Sequence, residues 1–150
     1  MGNPTQSREK ASFLSENILP IQESGQLHFV DTPNNGNIAR SKALNMDILF
    51  VDGHTDKQML PMIDYKGKKL VYMADFLPTV GHIPLPYVMG YDTRPLITID
   101  ERQEWFTRAA NENWYLMLEH DPYHELCTLK LTEKGVRLDK IHKFDDIFNS

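Results

Sequence analysis

Two spacings of hydrophobic residues organise most of this chain. Met46–Val51 is apolar at nearly every position, and Gln58–Tyr65, 70–74, 114–118, 126–131 and 136–141 are similarly rich in aliphatic and aromatic residues. Short apolar runs bounded by turn formers predict strands. Tyr65-Lys-Gly-Lys-Lys69 and Glu133-Lys-Gly135 lie between successive runs and predict hairpin turns. A weaker alternation over 26–31 predicts one more strand, followed by a turn at Pro33-Asn-Asn-Gly-Asn37. The other spacing is helical. Ala11, Phe13, Leu14 and Ile18 give a short helix over 8–18 that Pro20 should stop. Ile99, Trp105, Phe106 and Ala109 give the main helix over 96–113, with Thr98 or Asp100 as its cap. Between them, 76–95 holds four prolines and two glycines and shows neither period, so it reads as a long functional loop.

This order of elements predicts a mixed α/β (α+β) fold with a mostly antiparallel sheet and helices on one face. The expected domain limits are a disordered tail over 1–8, a single unit over 9–145 and a polar tail over 146–150. Strands that are apolar at successive positions need cover on both faces, and one helix pair covers one. The expectation is therefore a homodimer whose sheets pack face to face.

Composition narrows the functional classes. A formal charge of −5, with acidic and basic residues interspersed, gives no electrostatic footprint for nucleic acid. No apolar run is long enough to span a bilayer and no signal peptide is visible, so neither membrane nor secretion is expected. The single Cys127 can form no internal disulfide, which makes the cytoplasm the expected compartment.

Candidate chemistry lies where three of the apolar runs stop. The first ends in Asp52-Gly-His-Thr55, the third in Ala74 and Asp75, and the fourth in Leu118-Glu-His-Asp-Pro122. Imidazole and carboxylate suit zinc or another borderline divalent metal, and Gly53 allows a sharp turn beside a ligand. His54, Asp75 and His120 together carry one negative charge, which leaves a bound divalent cation Lewis-acidic. His82 in the long loop and Asp121 are the candidate catalytic side chains. Asp121 and His124 are also candidate partners for the second nitrogen of a ligating imidazole. Asp92 reads as a loop-fixing residue acting through Arg94, Tyr87, Met89 and Tyr91 as packing, and Cys127 as core.

In that order and spacing, the three endings resemble the second half of metallo-β-lactamase-fold hydrolases. The resemblance runs from about Ser7 to Pro122. It implies half of an αββα sandwich and hydrolysis of an ester, lactone, amide or related bond in a small-molecule substrate. It further implies that His54 and His120 are ligands of two separate metals, zinc or alternatively manganese or iron, with Asp75 bridging them. The His-x-His-x-Asp-His loop of that family is absent, so the set is incomplete and holds one metal at best. Two readings follow: a metal-dependent hydrolase in half-domain form, or a non-catalytic interaction half-domain that dimerises or complements a missing N-terminal half.

Overall fold

The apolar runs expected as strands between residues 46 and 141 all pair into one sheet. The structure, a computed structural model, describes residues 14–33 and 36–149, so the tail expected over 1–8 lies outside the described residues. The chain divides into two units, Met1–Asp31 and Thr32–Ser150.

The first unit contains α1, Ser15–Glu23. Pro20 does not stop this helix but lies inside it. A proline's fixed φ is helical and its missing N–H removes one ladder bond, a loss a short helix can absorb. The stop comes later, where Gly25 takes φ +73° and its N–H reaches the Gln22 carbonyl. The strand expected over 26–31 is absent. Phe29 is exposed and the segment has no ladder partner among the described residues, so its alternation buries nothing.

The second unit is a seven-stranded sheet in sequential order. Its strands are β1 (Ile38–Ser41), β2 (Met46–Val51), β3 (Gln58–Tyr65), β4 (Lys68–Tyr72), β5 (Tyr115–Met117), β6 (Leu126–Thr132) and β7 (Gly135–His142). Sequence patterning missed β1, because four residues with one Ile carry no period. Pairing with β2 and the contact of Arg40 with Asp47 at 3.1 Å define it. The β3–β4 hairpin turns through Lys66 and Gly67, both at positive φ, as a tight hairpin turn requires.

Every neighbouring pair is antiparallel except β4 and β5, which run parallel. A parallel pair needs a crossover, and here it consists of two 3-10 turns, Ala74–Phe76 and Val80–His82, and then α2, Pro95–Glu112. Two antiparallel steps bring β2 back to the direction of β4. The C-terminal ends of β2, β4 and β5 therefore emerge at the same edge of the sheet, and these strands lead to His54, Asp75 and His120.

Helix α2 covers one face. Trp105, Phe106 and Ala109 pack on the inward set Leu49, Val51, Leu60, Met62, Val71, Leu116, Cys127 and Leu129. Neither Thr98 nor Asp100 caps it. Pro95 occupies the first turn after Arg94, where a missing N–H costs nothing, while Thr98 is buried. Asn113 ends the helix in the left-handed region at φ 54°, with its N–H on the Ala109 carbonyl.

The opposite face is not left bare. Residues 144–148, expected to run into a polar tail, form α3, Phe144–Phe148, and its Ile147 packs on Leu70 and Leu126. A period too short to read in sequence is stabilised by a tertiary contact. Ile48 and Phe50, on the same face, are also buried within the single chain, whereas Met59 and Ile63 beside them remain exposed. Among the described residues no helix is long and apolar enough to cross a membrane.

Candidate metal centre

His54 sits in the loop after β2, and that loop is tied down from several directions. The amides of Asp52 and Gly53 donate to the two oxygens of Glu101 at 2.7 and 3.0 Å. Arg94 donates from its own amide to the Gly53 carbonyl and from Nε to the Asp52 carbonyl, while Thr93 Oγ1 donates to the His54 carbonyl at 2.9 Å. Gly53 lies so close to the backbone of Thr98 that a Cβ would collide with it. The glycine is therefore required by this approach of loop to helix, in addition to any turn it makes.

The three expected metal-binding side chains come together. Asp75 Oδ2 is 3.5 Å from His54 Nε2, and Asp75 Oδ1 is 3.3 Å from His120 Nε2. Asp75 thus presents a different oxygen to each imidazole. Two donors about 2.0–2.1 Å from one zinc at a tetrahedral angle would stand about 3.3–3.4 Å apart, so these separations suit a cation between each pair. The far nitrogen of His54 contacts Asp92 Oδ1 at 2.9 Å. With that proton committed to Asp92, the Nε2 lone pair of His54 confronts Asp75. Two lone pairs repel there unless a proton or a cation intervenes.

Donor type and spacing fit a divalent ion; donor number fits half of one centre. Among the described residues, no group of three or more His, Cys, Asp or Glu side chains forms a cluster able to hold a metal. The trio is a line with Asp75 in the middle, and each imidazole has one oxygen of that carboxylate beside it. Exposure rises along the line, from 12% for the His54 side chain to 46% for that of His120. The His54 end is enclosed by Tyr91, whose ring meets the imidazole edge to face with centroids 5.5 Å apart. Beside Asp75, burial together with a hydrogen bond to Glu119 pushes the Tyr72 phenol up to about 12, so it stays a donor.

Several sequence-based roles change. Asp92 does not act through Arg94; its buried carboxylate orients His54, a pairing across 38 residues that no local pattern signals. Asp121 does not support His120. Its Oδ2 accepts from the Val80 amide, and its Oδ1 meets the amides of Tyr123 and His124 and the His124 ring. Burial alone would raise the Asp121 pKa, but these donors bring it below the usual aspartate value. His82 stands in the second 3-10 turn with Nδ1 against Thr79 Oγ1 at 2.9 Å, and burial and Arg102 lower its pKa. Tyr91 packs its ring on His54, as expected of a packing residue, while half exposed, and Tyr87 is largely exposed. Cys127 is core, as expected, and burial pushes its thiol up to about 12. Sequence reasoning missed Glu101 and Arg102, which lie inside the amphipathic pattern of α2 as ordinary charged residues.

Solved structures place the fold. No family profile and no curated protein matches the chain. A probable metal-dependent hydrolase from Staphylococcus aureus superposes with a TM-score of 0.63 at 20% identity, covering 79% of this chain and 40% of that one. AidC, a dizinc quorum-quenching lactonase in complex with a product, gives 0.63 at 21% identity, covering 93% and 48%. The hydrolase AbOPH of the β-lactamase superfamily gives 0.65 at 17%, covering 93% and 49%. The chain thus spans less than half the length of each of these proteins. Its α+β architecture matches one half of a metallo-β-lactamase-like fold.

Proposed function

We propose that this chain carries one half of the divalent-metal centre of a hydrolase that cleaves an ester, lactone, amide or related bond in a small molecule. The observation that carries this reading is the Asp75 carboxylate, whose two oxygens stand 3.5 and 3.3 Å from the Nε2 atoms of two different histidines. His54, Asp75 and His120 would hold the metal, with zinc first among the candidates. A divalent cation there supplies Lewis acidity to a polarised bond. The chain's own residues do the rest: Asp92 fixes the His54 ring, the Glu101 clamp fixes the loop that bears it, and Tyr91 shields the His54 end.

Calorimetric titration of the whole chain with zinc tests this. Binding to wild type and its loss in Asp75→Ala, which removes the only anionic ligand, is the expected result. Equal binding by both proteins overturns the assignment.

A second reading is favoured by the single imidazole on each side of Asp75, an incomplete ligand set, and by the exposed Met59 and Ile63. In it the chain is an interaction half-domain that meets a second copy or a complementary half through the face opposite α2. Burial of Ile48, Phe50, Leu70 and Leu126 within one chain leaves that face less bare than the sequence implied. Sedimentation equilibrium at micromolar concentration decides the homodimer: a stable monomer removes it.

A further inference from the structure

The edge of the sheet opposite the candidate metal centre carries a cleft of about 690 Å³, within the roughly 300–1,000 Å³ of small-molecule sites. Strand lengths explain it. Lys68 and Tyr115 begin β4 and β5, whose other ends lead to Asp75 and His120. β5 has three residues and pairs with β6 at Leu116 and Met117, opposite Cys127 and Leu126. From Thr128 onward, β6 continues against β7 but has no ladder partner on its β5 side among the described residues. The notch so left open is the cleft, and a register shift at Thr128/Leu129 bends its far wall.

The two faces of the sheet bring different charges to this notch. Leu70 and Leu126 mark the face away from α2. By the alternation of a strand Lys68 and Thr128 share that face, and so, through their ladder pairs, do Tyr115, Lys140 and His142. All five line the cleft. The His142 ring meets Tyr115 edge to face with centroids 5.1 Å apart, and its Nε2 contacts Thr128 Oγ1 at 3.3 Å. The lining carboxylates are engaged by other cations. Asp64, on the α2 side of β3, binds Lys69 at 2.8 Å, Glu112 at the end of α2 binds Arg108 at 2.7 Å, and Asp139 stands 3.6 Å from Lys130. Arg108 and Lys130 are not part of the lining, so two of its carboxylates are neutralised from outside. The face that holds Lys68, Lys140 and His142 is therefore basic, in a chain whose formal charge is −5. Solvated surface charge would account for the lysines alone. It would not account for their placement at a break in the sheet, around a partly buried tyrosine and a hydroxyl in contact with an imidazole.

We propose that this cleft is a second binding site, for a small anionic molecule that presents a phosphate or carboxylate group to Lys68, Lys140 and His142 above the Tyr115 ring. An oxyanion is the chemistry that fits: lysine donates charge-assisted bonds to it, and the imidazole and the Thr128 hydroxyl supply further donors. The site is separate from His54, Asp75 and His120 and does not depend on metal binding there.

The test titrates the metal-free chain with inorganic phosphate and, separately, with succinate, following backbone amides by NMR in chloride buffer. Saturable shifts at Tyr115, Thr128 and His142, with the amides of His54 and His120 unmoved, are the expected result. Saturation by phosphate alone identifies a phosphoryl ligand, by succinate alone a carboxylate, and by both an oxyanion of either kind. Lys140 is exposed, so Lys140→Gln leaves the fold intact and should weaken binding about ten-fold, the value of one charge-assisted bond. Lys134→Gln removes the same charge from the β6–β7 turn, outside the cleft, and should leave the affinity unchanged. Equal weakening by the two variants would reflect only the general field of the protein and overturns the proposal. An affinity that ignores Lys140→Gln overturns it too, as do shifts that never saturate or that centre on His54 and His120.

Discussion

Asp92 and His54 are 38 residues apart in sequence and 2.9 Å apart in space, with the aspartate side chain wholly out of solvent. A carboxylate so placed fixes which nitrogen of the imidazole carries a proton and which is left for a ligand. Asp92→Asn preserves shape and removes the charge. It should weaken zinc binding about ten- to a hundred-fold, read by calorimetry. Unchanged affinity would mean that the pair only holds the loop in place.

Gly53 marks a close approach between the ligand-bearing loop and α2. Gly53→Ala sets a methyl against the backbone of Thr98. Backbone cannot step aside as a side-chain tip can, so the loss should lie at the upper end for overpacking, about 3 kcal/mol. Urea denaturation measures it. A loss below about 0.5 kcal/mol would show that loop and helix separate freely.

Ala74, one residue before Asp75, has φ 43°, in the left-handed region that favours glycine. Ala74→Gly should relieve that strain and stabilise the protein by about 0.5–1 kcal/mol, the left-handed penalty outweighing the added freedom of the unfolded chain. A thermal melt gives the sign, and a lower melting temperature would contradict the strain argument.

Glu101 provides the pH dependence. Burial raises its pKa above the usual glutamate value, and the amides of Asp52 and Gly53 pull only partly back. A carboxyl raised in the folded state binds more protons there than in the unfolded state. Its contribution to stability is therefore complete below the unfolded pKa and declines as pH rises through the folded one. The stability difference between wild type and Glu101→Gln should shrink across that window, followed by urea midpoints at successive pH values. A difference that grows with pH would mean that the two N–H bonds outweigh burial.

The sequence by itself determined the elements that carry their own period. Met46–Val51 and Gln58–Tyr65 declare themselves as strands because they are short, rich in apolar residues and bounded by turn formers, a length that suits a pleated ladder and is too short for a typical helix. The placement of His54, Asp75 and His120 just beyond strand ends was legible for a related reason: an apolar run that stops abruptly marks a strand end.

Only the tertiary structure decided what brings those ends together. The parallel β4–β5 pair turns three strand ends toward one edge, and strand direction is not encoded in any local pattern. β1 and α3 exist because partners cover them, Pro20 is tolerated because its helix loses only one bond, and Asp92, Glu101 and Arg102 acquire their roles across 26 to 49 residues of chain. Hydrogen bonds of that reach depend on the folded path of the backbone, so the sequence names the donors while the fold assigns their partners.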